Sequence, residues 1–372
     1  MERQLERRRE PEPRTFDREI ENLWQGIKNE KEKADNLPRV LKFDSIPWTQ
    51  GAQAFHKYYI GPGFPWRLKQ FPLYSTAVVE QIIPPGGKSG RHRHFMEAIF
   101  YIMEGEGYEI HDDIKYPWVA GDVMMVPTYC VHQHFSTGDV PARLFFAVPT
   151  VFDLLGIASI EQIELHPNYE IPEGAQPIFG DDANRMLGYK TAEGNEILFG
   201  FDGQFQSTMD AREEVRFRGK GKNTYDTYLE TLNQQMDWRH NVPHVISGRD
   251  RPWEDTSMGK IKYLVHSSFP SALLLYDCFI QEIPPGGSSG KHRHVSEELL
   301  KILDGTGYDI QDGVRWDWAK EDVVAIPTNV THQHFNNDPN KPALFMSYQM
   351  RLHQYIGHGG FEHFEDAPGY KR

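Results

Sequence analysis

Histidines set one residue apart, and followed at a fixed distance by a third, are the part of this chain best suited to chemistry. The stretch from Gly90 to Gly105 contains His92 and His94, and the stretch from Gly290 to Gly305, 200 positions later, contains His292 and His294. His132 follows the first pair, and His332 follows the second after the same interval. Alternate residues of a strand share one face, so each pair can point one way. A neutral imidazole from a second strand can then close a site for a divalent ion. One such pair is weak evidence, because satisfied or surface histidines produce it too; two copies of three with identical spacing are much harder to obtain by chance. The acid separates the copies. Glu298 follows His294 at a spacing suited to a fourth ligand, whereas Ala98 stands at that place in the first copy. Glu97 comes one residue earlier, where a strand side chain points to the opposite face. The expectation is a site of His92, His94 and His132, and a second of His292, His294, Glu298 and His332.

The elements that must carry these residues are also duplicated. Ile83-Pro-Pro-Gly-Gly87 recurs as Ile283-Pro-Pro-Gly-Gly287, Trp118 recurs as Trp318, and Pro127 to Phe135 recurs without a gap as Pro327 to Phe335. An internal duplication accounts for this. Short apolar runs at 78–83, 98–103, 123–126 and 144–148, bounded by Gly, Pro and Asp, read as strands of a barrel or sandwich. Before them, Phe16, Ile20, Leu23, Trp24 and Ile27 fall at helical spacing and predict a helix over 17–33. Its apolar face must cover either this chain's barrel or a neighbouring subunit. Between the repeats, 152–165 and 223–238 read as helices, and the long Gly- and Asp-rich segment around them as a connector wrapping both domains. The resulting division is an N-terminal arm and helix over 1–39, a first domain over 40–150, a connector over 151–244, a second domain over 245–350 and a tail over 351–372.

Composition narrows the partners. A net charge of −13 argues against nucleic acid or an anionic membrane, and no apolar run is long enough to span a bilayer. Two cysteines are too few for a disulfide framework, which predicts a reducing cytoplasm.

At its histidine motifs the chain resembles the bicupins, whose pattern is G-x5-H-x-H-x3–4-E-x6-G followed by G-x5-P-x-G-x2-H. Departures are Glu321 where the first half has Gly121, and Tyr129 and Asn329 in place of the glycine after proline. The resemblance implies a mainly β fold of two tandem cupin β-barrels of jelly-roll type, with an N-terminal helix and a partly helical connector. The three-histidine motif with Ala98 in place of the acid further resembles the gentisate and salicylate ring-cleaving dioxygenases. That likeness implies Fe(II) in the first cupin, a small aromatic substrate and O2 as partners, and a role in aromatic-compound catabolism. It also implies Gln81 as a positioning residue and His134 as an acid–base or hydrogen-bonding group, with copies at Gln281 and His334. The family has an arginine where this chain has Phe100, which cannot form a bidentate pair with a carboxylate but suits stacking on a ring. Either Arg67 or Arg93 grips a carboxylate instead, or the substrate is not a simple carboxylated phenol; Arg93, alternating with His92 and His94, is expected to point away from the metal. The second cupin is expected to hold a divalent metal, Fe or Mn. Two alternatives stand beside the dioxygenase: a manganese bicupin decarboxylase or isomerase of the oxalate decarboxylase type, and a non-catalytic metal-binding bicupin. Homo-oligomers are common in the family, and the N-terminal helix gives a physical reason to expect one.

Overall fold

The structure, a computed structural model, describes residues 16–61, 71–154, 160–180, 186–198, 223–357 and 359–371. Arg67 lies outside them. Among the described residues no helix is long and apolar enough to cross a membrane.

Each half of the chain faces a seven-stranded sheet with a five-stranded one, and the two sheets are not joined into a closed barrel. In the first half the larger sheet is centred on Val123–Val126, Ala98–Glu104, Ala142–Pro149 and Thr76–Ile83, paired antiparallel in that order. Its counterpart in the second half is centred on Val323–Ile326, Glu298–Asp304, Ala343–Met350 and Tyr276–Ile283. The smaller sheet of the first half holds Arg91–His94 and His132–Ser136, and that of the second holds Lys291–His294 and His332–Asn336.

The apolar runs of the larger sheets are continuous because both faces are buried. Ala98, Phe100 and Ile102 point into the first domain, whereas Ile99 and Tyr101 point outward. Leu300 and Ile302 point into the second domain, and Leu299 outward. The outward residues of both halves form one shared core, in which Phe145 stacks on Tyr348 at 6.0 Å and Tyr348 Oη donates to the Phe145 carbonyl at 2.8 Å. The two larger sheets therefore pack back to back.

Short strands cross over to lock this arrangement. Val40–Leu41, at the start of the first domain, pairs with Val323–Ile326 of the second. Val245–Ile246, at the start of the second domain, pairs with Val123–Val126 of the first. Each pairing covers a sheet edge that would otherwise leave backbone donors and acceptors unpaired. Carboxylates do the same work at the chain's turns. Glu97 accepts from the N–H groups of Leu274 and Leu275 at 2.9 and 2.6 Å, and its copy Glu297 accepts from Tyr74 and Ser75 at 2.6 and 2.8 Å.

The structure explains one departure from the cupin pattern. Glu321 adopts φ +73°, a left-handed conformation that its copy Gly121 (φ +91°) reaches without a Cβ penalty. Its carboxylate lies 2.9 Å from Arg143 of the other domain and 2.9 Å from Lys301, which is fully buried and also 3.3 Å from Glu80. A buried ammonium needs such partners, and losing one is costly.

Three elements differ in extent or kind from expectation. The first helix runs Phe16–Asp35, and Leu23, Trp24 and Ile27 on its apolar face are exposed, so this chain's barrel is not what they cover. The helix between the repeats runs Thr224–Asn241, with the Asn223 side chain accepting from Asp226 N–H at its start. The helix expected over 152–165 is a single turn, Val151–Leu154, and a strand, Ile160–Glu164, separated by residues outside the description. That strand pairs with Arg91–His94. The pairing satisfies the backbone along the outer edge of the histidine strand, a demand that helical periodicity does not register.

Burial pushes the Glu321 carboxyl up, but Arg143 and Lys301 outweigh it and hold it at about 2 against an ordinary 4.5. The folded value lies below the unfolded one, so the stabilisation is complete above about pH 4.5 and drains away as the pH falls toward about 2. Glu321→Gln should therefore cost about 2 kcal/mol at pH 7, less than a fully buried pair because the site is partly exposed. Urea unfolding across this range should show the gap between variant and parent narrowing below pH 4.5; a gap that stays constant would contradict the assignment.

Candidate metal centres

The motif histidines converge in both halves with nearly the same geometry. Ring centroids of His92 and His132 lie 4.1 Å apart, and those of His94 and His132 4.8 Å; the second-half copies give 4.1 and 4.9 Å. In each group the candidate ligand atoms all lie within 4.8 Å of one another, and every residue is buried. Strand pairing explains the convergence, because His92 sits directly opposite His132, as His292 does opposite His332.

Backbone carbonyls set the tautomers. In the first group, Nδ1 of His92, His94 and His132 lie 3.3, 2.5 and 3.0 Å from the carbonyls of Gly90, Met96 and Cys130. With Nδ1–H donating, the Nε2 lone pairs are left for the centre, and His132 Nε2 is buried with no hydrogen-bond partner. Burial is the main force pushing the imidazoles down, His94 to about 4, which favours the neutral, ligating form. The donor set thus fits a divalent ion. A tight turn presents His132: Tyr129 adopts φ +66° and donates its N–H to the His94 carbonyl at 2.9 Å. Asn329 does the same at φ +61° toward His294, so the two halves share this left-handed turn.

The acids part company between the halves. Glu298 points inward, with Oε2 3.0 Å from His294 Nε2 and 3.5 Å from His332 Nε2, while Ser347 Oγ donates to Oε1 at 2.5 Å. Ala98 occupies that position in the first half, and Glu97 is turned to the second domain, as described above. The first centre is three imidazoles; the second is three imidazoles and a carboxylate.

Behind the first centre, His134 lies on the same face of its strand as His132, and its Nδ1 is hydrogen-bonded to Glu109, whose other oxygen lies 3.4 Å from His111 Nε2. Burial pushes the Glu109 carboxyl up, but His134 and His111 outweigh it and hold it below its ordinary value. His111 Nδ1 in turn lies 2.7 Å from His244 Nδ1. Glu109, His132 and His134 form a further group with metal-ligand spacing. The second half has Asp309 at this place, which accepts from Trp318 Nε1 and from His334 Nδ1, both at 2.9 Å.

Both centres open on cavities of different character. The first, about 210 Å³, is lined by Ala77, Val79, Phe100, Phe146 and Val148, with Gln81, His56 and His134 supplying polar atoms. Phe100 stacks on Phe146 at 4.6 Å and lies 4.8 Å from His134. The second, about 190 Å³, includes Asp277, His266, His353 and Arg351. That guanidinium is held by Asp277 at 2.6 Å and by the carbonyls of Leu273 and Leu274. Arg93 points away from the first centre and pairs with Glu161 at 2.6 Å. Of the cavity residues, His56 carries no signal in the sequence, because only strand pairing sets it opposite Gln81. Glu109 could have been found from its acidic copy, Asp309.

Metal content should separate the residues. Glu298→Ala should lower occupancy of the second centre, while Glu97→Ala leaves metal content unchanged and instead costs about 2–4 kcal/mol, having removed two charge-assisted hydrogen bonds. Atomic emission and denaturant unfolding check the two halves of this statement; metal loss from the Glu97 variant would refute it.

Comparison with known proteins agrees with this geometry. The cupin domain family model matches residues 79–148 and again 279–348. A gentisate 1,2-dioxygenase from Haloferax sp. is 24% identical over 276 residues, which cover 72% of this chain and 68% of that one. The structure of salicylate 1,2-dioxygenase from Pseudoaminobacter salicylatoxidans with gentisate superposes with a TM-score of 0.56 at 13% identity, covering 97% of both chains. An oxalate decarboxylase from Bacillus subtilis gives a TM-score of 0.57 at 14% identity, over 88% of this chain and 80% of that one. With its cupin motif matched twice and two such domains packed back to back, the chain is a bicupin related to the ring-cleaving dioxygenases.

Proposed function

We propose that the chain is an Fe(II)-dependent dioxygenase that opens the ring of a hydroxylated or aminated aromatic compound at its first centre. The observation that carries this reading is a carboxylate-free group of three Nε2 atoms facing a cavity walled by Phe100 and Phe146. Fe(II) held by His92, His94 and His132 would keep open positions where a chelating substrate and O2 can lie side by side. Similarity to a gentisate 1,2-dioxygenase supports the same class of reaction.

The roles of the chain's own residues follow from their contacts. Phe100 offers its face to the substrate ring, and its stack on Phe146 fixes its orientation. Gln81 Nε2 is buried without a hydrogen-bond partner and orients a substrate oxygen or nitrogen. His134 donates from Nδ1 to Glu109, which leaves Nε2 to take or return the proton of a substrate hydroxyl. Apolar walls exclude water from the reacting face. The exposed face of the first helix, with Leu23, Trp24 and Ile27, suits a homo-oligomer in which a second copy covers it.

One observation favours a second reading. His292, His294, Glu298 and His332 form a four-ligand group suited to Mn(II) or Fe(II), and the fold is shared with an oxalate decarboxylase. Separate substitutions distinguish the centres. In an oxygen electrode with Fe(II)-loaded protein and a panel of phenols and aminophenols, His92→Ala should abolish uptake and His292→Ala should retain it. His134→Gln should lower kcat by about 10²- to 10⁴-fold, the range for loss of a general acid–base group. Manganese in the native protein with carbon dioxide released from oxalate would overturn the dioxygenase reading, as would activity that survives His92→Ala.

A further inference from the structure

The first cavity is lined by two residues of neighbouring strands, each with a buried polar atom that nothing in the protein satisfies. His56 and Gln81 are directly opposite on neighbouring strands of the larger sheet, both line the cavity, and each is only 2% exposed. His56 Nε2 and Gln81 Nε2 are buried without hydrogen-bond partners. Leaving such atoms unpaired is costly, so a pair of them facing one cavity points to a ligand that supplies the missing contacts. The second half makes the contrast. There the copy of the glutamine, Gln281, donates Nε2 to the Met258 carbonyl at 2.7 Å, and Ile261 takes the place of His56. Only the first cavity keeps these groups unpaired.

The character of the groups identifies the ligand. Among the described residues that line this cavity, none is a lysine or arginine. Arg93, on the histidine strand itself, is engaged by Glu161 on the opposite face. Burial, reinforced by His134, pushes the His56 imidazole down to about 3, so it meets a ligand uncharged. Phe100 and Phe146 supply a flat apolar wall. A carboxylate outer oxygen placed here would meet neutral amide and imidazole groups instead of a guanidinium fork, so the cost of burying its charge would be only partly offset.

We infer that the first cavity selects an aromatic ring with adjacent hydroxyl or amino groups and no carboxylate, His56 and Gln81 contacting its polar edge and Phe100 its face. This rests on the aromatic-substrate reading above and narrows it to uncharged rings of the catechol and 2-aminophenol class. His56 becomes a specificity-determining residue beside Gln81, and Phe100 the residue that disfavours the carboxylate.

Equilibrium binding tests this without turnover. Protein loaded with redox-inert Zn(II) is titrated with catechol, 2-aminophenol, salicylate and gentisate, followed by calorimetry. Catechol and 2-aminophenol should bind about tenfold or more tightly than the two carboxylated rings, whose extra charge would be buried there without a cationic side-chain partner. Binding should vanish in His92→Ala, and His56→Leu should weaken catechol by about tenfold, the cost of one lost hydrogen bond. Phe100→Arg should raise salicylate affinity. Salicylate or gentisate binding the parent protein as tightly as catechol would overturn the inference. So would a loss of salicylate binding on Arg67→Ala, which would assign the carboxylate to Arg67. Oxygen uptake on the carboxylated rings alone would overturn this inference and keep the dioxygenase reading. Tight catechol binding with no uptake by the Fe(II) protein would do the reverse.

Discussion

Two β-sheets packed back to back, with charged side chains buried at their margin, set the terms for everything else in this molecule. The shared core draws alternate residues from strands of both halves, so each large strand is committed to apolar residues on both faces. Into that boundary the chain places Lys301, Glu80, Arg143 and Glu321, and it anchors turns of each domain on Glu97 or Glu297 from the other. Such groups are tolerated only when paired, which makes the docking geometry specific as well as apolar. The small sheets, which carry the histidines, face the inner side of each large sheet, away from the shared core.

This arrangement lets the two halves share a scaffold while their chemistry diverges. Centroid distances among the imidazoles agree to within a few tenths of an ångström between the halves. One residue, Ala98 against Glu298, changes the number of donors. A second, Glu109 against Asp309, changes how the histidine behind the centre is held, since the shorter acid also engages Trp318 and the longer one reaches toward His111. A third, His56 against Ile261, decides whether a polar atom faces the cavity. Each is a local substitution on a strand whose position the docking already guarantees.

Much of this was legible in the chain before folding. The duplicated runs over 78–83, 98–103, 123–126 and 144–148 are strands at 76–83, 98–104, 123–126 and 142–149. Alternation is a property of the strand itself, so the inward direction of His92 and His94 and the outward turn of Glu97 could be read without knowing what lay on either side. The strand at Ile160–Glu164 was not legible. It exists because the edge of the histidine strand needs a partner, and its own residues carry no strong strand pattern.

By itself, then, the sequence determined the duplication, the spacing of the histidines and the difference of one carboxylate between the centres. All three are encoded in order and periodicity along the chain. Only the tertiary structure decided what Glu97 is for, since its partners Leu274 and Leu275 lie 177 and 178 positions away. It also decided that Glu321 closes an ion network across domains, and that His56 stands opposite Gln81 with both polar atoms unpaired. The physical reason is common to these cases. Strand register and domain docking are contacts between distant residues, and the demand for a partner at a buried polar atom exists only once other segments have removed it from water.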